Sequence, residues 1–245
     1  MPGDADLIQI VDSALAEAAR KAGPWLACRP GCAQCCLGPF AVTQLDAERL
    51  RAGLAALEIS DPARAARIRA RAADAVAALE RDYPGDTLTR VLDEDDAAAD
   101  QPCPVLDPVA LTCDLYAERP IVCRTFGPPV RFGAESLAVC ELCFDGATDS
   151  EIAACEVQID SADLEARLSN DLEAATGRRG DTIVAYALAC SSQGVIGREI
   201  LAAPEAARGP LFRGAGPEGV RRTQAQRQQH GGAQVETSGR DVWLA

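Results

Sequence analysis

Four cysteines fall within nine residues: Cys28-Arg29-Pro30-Gly31-Cys32-Ala33-Gln34-Cys35-Cys36. Thiols three or four positions apart can turn their sulfurs toward one centre while the intervening backbone N–H groups donate to them. Thiolate is a soft donor that suits zinc, copper(I) and iron–sulfur clusters. The adjacent pair Cys35-Cys36 points in divergent directions, so it can serve two neighbouring metals or one bridged cluster. Further cysteines follow at Cys103-Pro104-Val105-Leu106, at Cys113 and Cys123 within residues 113–126, and as the pair Cys140-Glu141-Leu142-Cys143. The single histidine, His230, lies in the polar stretch 224–232, which has no apolar periodicity. His230 reads as a stray tail histidine, since a site needs rigid support, and without another histidine Ser-His-Asp and Cys-His catalysis, HExxH zinc sites and Cys₂His₂ fingers are excluded. The phosphate-binding P-loop and the dinucleotide glycine pattern are also absent. The chemistry indicated is metal held through sulfur, and the spacing leaves the metal open.

Eleven cysteines are an odd number, and clustered thiols in a reducing compartment point to metal rather than disulfides. Asp4 and Asp6 stand where a secretory leader needs lysine or arginine, and no apolar segment follows, so a cytoplasmic chain is expected. No uncharged apolar run approaches the ~20 residues of a membrane span, so no membrane is expected as a partner. The formal charge is −13. Residues 204–245 carry six arginines against four acids, or +2, which leaves −15 on residues 1–203. An acidic body repels phosphate backbones and disfavours general nucleic-acid binding.

Helices must position these loops. Aromatic residues are 4% of the chain, too few for a large β-sandwich or barrel. Residues 4–22 place Ile8, Val11, Leu15 and Ala18 at helical spacing, and Gly23-Pro24 ends them. Thr43 caps a second helix, with Asp46 at the capping-box position and Leu50, Leu54 and Leu57 on one face. Asp61-Pro62 opens a third, whose seam is Ala65, Ile68, Ala72, Val76 and Leu79. Its arginines 64, 67, 69 and 71 read as a solvated face. Asp93–Asp96 reads as an acidic linker. Six prolines within 101–144 allow only loops and short turns there, with one short hairpin at 129–132 and 136–139. Helices follow at about 149–158, 160–176 and 181–190. The expected fold is mostly α: a small helical domain, residues 1–203, wrapped around one cysteine-lined metal region. From Pro204 the chain has ten Gly or Pro in 42 residues and reads as a flexible tail.

The segment Cys113-x-Leu115-Tyr116-x-x-Arg119-Pro120-x-x-Cys123-Arg124-x-Phe126, after the first cluster and Cys103-Pro104-Val105-Leu106, resembles a bacterial family. This is the YkgJ-like cysteine-cluster group with the CxxCxxCC signature, described as zinc- or iron-chelating or Fe–S-containing and related to flagellin lysine N-methylase. The resemblance covers about residues 25–145. It departs where three residues rather than two separate Cys28 from Cys32, and where Leu115 replaces isoleucine.

The resemblance implies nine metal ligands: Cys28, Cys32, Cys35, Cys36, Cys103, Cys113, Cys123, Cys140 and Cys143. Two four-thiolate sites need eight, so one sulfur is spare or bridges two metals. Each tetrathiolate zinc carries about −2 by charge counting, and Arg119 and Arg124 are placed to offset that charge and donate to sulfur around the cofactor. Trp25, Phe40, Tyr116, Phe126 and Phe144 lie within four residues of a matched cysteine, where a dry shell tunes and protects a cluster. Cys155 and Cys190 fall outside the pattern and read as buried thiols. Cys28-x3-Cys32-x2-Cys35 also spells the radical-SAM signature, but that class resembles a partial β/α barrel, and this chain has almost no strands. The expected cofactor is an Fe–S cluster, 4Fe-4S by preference, or zinc. The expected function is an Fe–S metalloprotein, in its enzymatic form a protein-modifying enzyme resembling flagellin lysine N-methylase, acting on a protein partner or substrate. The alternative is a non-catalytic zinc-stabilised interaction module.

Overall fold

A computed structural model describes residues 3–94, 97–132, 135–136, 139–140 and 142–189. The expected tail from Pro204 and Cys190 lie outside the described residues. Among the described residues the fold is mostly α-helical and contains no barrel. Helix α1 spans Asp4–Ala22, with Asp4 and Asp6 in its first turn and Arg20 and Lys21 in its last, each sign opposing the helix dipole. Gly23 ends it by returning its N–H to Ala19 O. Helix α2, Gln44–Ser60, starts where the Thr43 hydroxyl accepts the Asp46 N–H. Helix α3, Pro62–Asp82, starts where the Asp61 carboxylate accepts the Arg64 N–H, with Pro62 in the first turn.

The main core forms where α2 and α3 pack against α8, Val184–Ala189. It buries Leu50, Leu54, Ala65, Ile68, Ala72 and Leu188. These residues come largely from the seams read in the sequence. Helix α1 packs beside this unit and contributes Leu7, Val11 and Ala18.

Several elements differ from the sequence reading. Residues 87–93, next to the expected acidic linker, form helix α4 (Thr87–Asp93), capped by the Asp86 side chain. The proline-rich region contains a five-residue helix, α5, Ile121–Thr125, begun by Pro120. The expected helix at 149–158 stops at Cys155 as α6, Asp149–Cys155, opened by a full capping box of Thr148 and Glu151. The chain then extends as a strand, Val157–Ile159, because Val157 and Ile159 alternate inward around exposed Gln158. The next helix, α7, begins only at Leu164 and ends at Thr176. Asp160 and Asp163 have φ of 43° and 51°, a left-handed break that interrupts helix. The Asp160 carboxylate then accepts the Leu164 and Glu165 N–H groups.

With strands numbered along the chain, β1 is Val42–Thr43, β2 Val130–Phe132, β3 Glu135–Ser136, β4 Val157–Ile159 and β5 Asp181–Thr182. The expected hairpin is present as β2–β3, antiparallel with Arg131 opposite Ser136. Strand β4 adds to β2 in parallel, Arg131 opposite Gln158, and β1 pairs antiparallel with β5. No described helix is long and apolar enough to cross a membrane.

The α3 arginines are only partly a solvated face. Arg67 is exposed and Arg69 pairs with half-exposed Glu58. Arg71 and Arg64, however, close over Asp114, whose side chain is 1% exposed. Arg71 Nη2 donates to Asp114 Oδ2 at 2.7 Å and its Nε to Pro104 O at 2.7 Å. Arg64 Nε stands 3.0 Å from Oδ1, off the line of a hydrogen bond. A buried carboxylate next to Cys113 draws these arginines inward, because an unpaired charge there would be costly.

Candidate metal centre

The first cysteine segment is two consecutive turns, each ending on a cysteine. Cys32 N–H returns to Arg29 O at 2.9 Å, and Cys36 N–H returns to Ala33 O at 2.9 Å. Gly31, at φ 87°, supplies the left-handed step of the first turn.

The second cysteine segment is tied to the end of the first. Cys103 N–H donates to Cys36 O and Gly38 N–H to Gln101 O, both at 2.8 Å, around an antiparallel bridge between Leu37 and Pro102. The chain then doubles back from Leu106 to Cys113. Asp107 Oδ1 accepts the Val109 and Ala110 N–H groups at 2.8 Å in that loop, which holds its carboxyl below the ordinary range. Cys123 is carried by α5, whose first N–H, Ile121, is capped by Asp46 Oδ1 of α2 at 3.1 Å.

The third segment is tied instead to the start of the first. Phe144 N–H donates to Trp25 O at 2.9 Å, and the two rings stack with centroids 6.3 Å apart and planes 13° apart. Cys143 N–H returns to Cys140 O at 2.8 Å, and Cys140 N–H reaches Gly127 O at 3.3 Å.

These tethers sort the thiols into two groups. In the outer group, Cys28 Sγ lies 3.9 Å from Cys143 Sγ, across 115 residues of chain. Burial, then Cys143, Cys140 and Cys32, pushes the Cys28 thiol up to about 12. Burial and the same neighbours, Cys143 and Cys32, raise Cys140. In the inner group, burial and then Cys103, Cys113 and Cys35 raise Cys123 well above the ordinary thiol. Burial, then Cys113 and Cys35, pushes Cys103 up to about 12. Burial, then Asp114 and Cys35, raises Cys113, with Arg119 opposing. A hydrogen bond with Cys36 and burial raise Cys35. The sequence reading expected one cysteine-lined region, and Cys28 with Cys123 as members of it. Within the radical-SAM-like triplet, the charge neighbours of Cys28 are Cys32, Cys140 and Cys143, and Cys35 is a charge neighbour of Cys103, Cys113 and Cys123.

The two arginines differ. Arg119 lies over the Tyr116 ring at 3.6 Å and donates to Tyr116 O at 3.0 Å, and its charge acts on both Cys35 and Cys113. Arg124 is buried and its donors go elsewhere: Nη1 to both oxygens of Asp12 at 2.8 and 2.9 Å, Nε to Arg119 O at 3.0 Å, and Nη2 to Ala117 O. It clamps α1 to the loop before α5 rather than donating to sulfur. Of the aromatics, Trp25 and Phe144 pack with the outer thiols and Phe40 against the main core. Tyr116 and Phe126 are 63% and 39% exposed. Cys155 is buried, its Sγ 3.5 Å from Lys21 O.

The model of a family described as "CxxCxxCC: Putative zinc- or iron-chelating domain" matches residues 27–143, a stretch that takes in all nine of these thiols. The match spans 117 of the 245 residues and marks this stretch as similar to that family. No curated protein and no solved structure matches the chain. The matched stretch is the part of the molecule similar to a chelating domain, and α1, α6, α7 and α8 lie outside it. Among the described residues, no three Cys, His, Asp or Glu side chains converge on one point closely enough to hold an ion. The thiols are gathered but not closed. Their chemistry nevertheless fits a thiophilic metal: an all-sulfur donor set with one pair already near coordinating separation.

Sequence reasoning missed Asp46 and Asp114. Asp46 was read as a helix-cap residue of α2, yet it also caps the helix that carries Cys123. Asp114 left one signal, an acid directly after a matched cysteine.

Proposed function

We propose that this chain is a thiolate metalloprotein in which zinc folds the cysteine loops of the CxxCxxCC domain into a protein-binding surface. The observation that carries the reading is the 3.9 Å separation of Cys28 Sγ and Cys143 Sγ. Four sulfurs at ~2.3 Å from a tetrahedral zinc lie ~3.8 Å apart. A cubane cluster, being larger than an ion, sets its ligand sulfurs farther apart. Metal would supply a Coulombic and covalent centre there, and the chain would supply Cys28, Cys32, Cys140 and Cys143 from two distant loops.

The surface the loops present supports an interaction role. Of the eight large apolar residues exposed among the described residues, seven (Leu37, Ile59, Val109, Leu111, Tyr116, Phe126 and Leu142) fall within residues 27–143, and all but Ile59 lie on the loops and short elements that carry the cysteines. Exposed apolar residues concentrated in one region mark binding surfaces.

A second reading places an Fe–S centre at the inner thiols, in an enzyme resembling flagellin lysine N-methylase. It is favoured by the apolar residues Val105, Leu115 and Phe40, which pack with Cys103 and Cys113 and would shield a redox centre from water. Anaerobic purification with metal analysis and a visible spectrum decides between them. Zinc in a colourless protein is expected. A brown protein holding iron and sulfide overturns the zinc reading in favour of the second.

A further inference from the structure

We infer that the nine thiols form two independent metal sites, an outer one of Cys28, Cys32, Cys140 and Cys143 and an inner one of Cys35, Cys103, Cys113 and Cys123, with Cys36 surplus to both. The inference rests on the thiolate-metal reading above and adds how many ions are held and by which residues.

Three observations separate the sites. The first is the backbone. The 103–123 segment joins the first motif at its far end, Cys103 N–H to Cys36 O at 2.8 Å. The 140–143 segment joins it at its near end, Phe144 N–H to Trp25 O at 2.9 Å. Each half of the first motif therefore has its own later partner.

The second is packing. Cys103 and Cys113 pack against the main core of Leu50, Leu54 and Ile68, whereas Cys140 and Cys143 belong to a separate apolar cluster with Ala22, Phe144 and Cys155. A single shared ion would have to draw sulfurs out of two different cores.

The third is a close approach. Gly127 has φ 127°, and a Cβ built on it would stand 3.0 Å from Cys28 Sγ. The chain just past α5 thus passes directly against Cys28, and Gly127 O receives the Cys140 N–H. The absence of a side chain at Gly127 leaves room for the Cys28 thiol beside the backbone that receives the Cys140 N–H.

Cys36 is the odd sulfur. Its carbonyl is committed to the Cys103 N–H at 2.8 Å. Four thiolates already complete a tetrahedral inner site, and a fifth would add charge without adding a bond.

The test is anaerobic cobalt(II) titration of the full, reduced chain, followed by its thiolate charge-transfer and d–d bands and by native mass spectrometry. Two equivalents are expected in the wild type. Cys140→Ser and Cys113→Ser should each lower the count to one tetrathiolate ion, the double variant to none, and Cys36→Ser should leave two. Saturation of the wild type at one equivalent overturns the division, and needs no variant to fold. Loss of both ions in soluble Cys140→Ser, or of one ion in Cys36→Ser, overturns it too. A wild type that binds no cobalt and carries no iron overturns the metal reading itself, an outcome distinct from a count of one.

Discussion

The two thiol groups sit in different kinds of surroundings. The inner group rests on an aliphatic core built by α2, α3 and α8, with Leu50, Leu54, Ile68 and Leu188 buried beneath it. The outer group has no comparable support: of the five fully buried residues in its cluster, Cys140, Cys143 and Cys155 are cysteines. Hydrophobic burial supports the first arrangement more than the second. A region with a small apolar cluster depends more on a staple than one with a large core. Metal is therefore predicted to matter unequally to folding in the two places.

Chelation under reducing conditions should give the largest contrast. A structural zinc contributes about 10–16 kcal/mol in finger peptides. Hydrogen exchange should lose protection through residues 25–33 and 139–155 while α2, α3 and α8 stay protected. Equal loss in both regions would erase the distinction. Ile68→Ala probes it from the other side. Ile68 is fully buried, and its truncation should cost about 2–5 kcal/mol of global stability without lowering the metal content of the outer group.

Gly127→Ala should have a smaller and local effect. A side chain at φ 127° and 3.0 Å from Cys28 Sγ is strained, at about 1–3 kcal/mol. Metal should be released from the outer group at lower chelator concentration, with the inner group unchanged.

A pH dependence is expected away from both groups. Burial, with the charges of Asp46 and Asp160, pushes Glu165 up to about 8, against ~4.3 in an unfolded chain. Between those values the folded state holds the extra proton, so this residue makes stability fall as pH rises from ~4.3 to about 8. Glu165→Gln should flatten that slope in denaturation curves at several pH values and stabilise the protein at pH 8, with little change at pH 4.

Much of this was legible in the sequence, for identifiable reasons. Helices α1, α2 and α3 are long enough for periodicity and caps to speak together, and Thr43 and Asp61 cap where expected. Short elements were not legible. Helix α5 has five residues and depends on Asp46, 75 positions away, for its cap. Strand β4 exists because β2 offers it an edge. The nine cysteines of the motifs can be named from the sequence, but how they are arranged in space cannot. Turns such as Arg29–Cys32 and Ala33–Cys36 decide which way each sulfur faces, and spacing alone does not encode that choice. Arg71 and Arg124 show the same limit, since their targets, Asp114 and Asp12, are distant in sequence.

The interleaving of the first motif with two later ones also sets an order in time. On the ribosome the last inner thiol, Cys123, is made twenty residues before the last outer one, Cys143. At ~5–20 residues per second that is a lead of about 1–4 s. During that interval Cys28 and Cys32 are already synthesised and still without their later partners. A nascent chain that captures its ion promptly at Cys35, Cys103, Cys113 and Cys123 leaves the earlier pair free for Cys140 and Cys143, so the order of translation itself guards against mispairing.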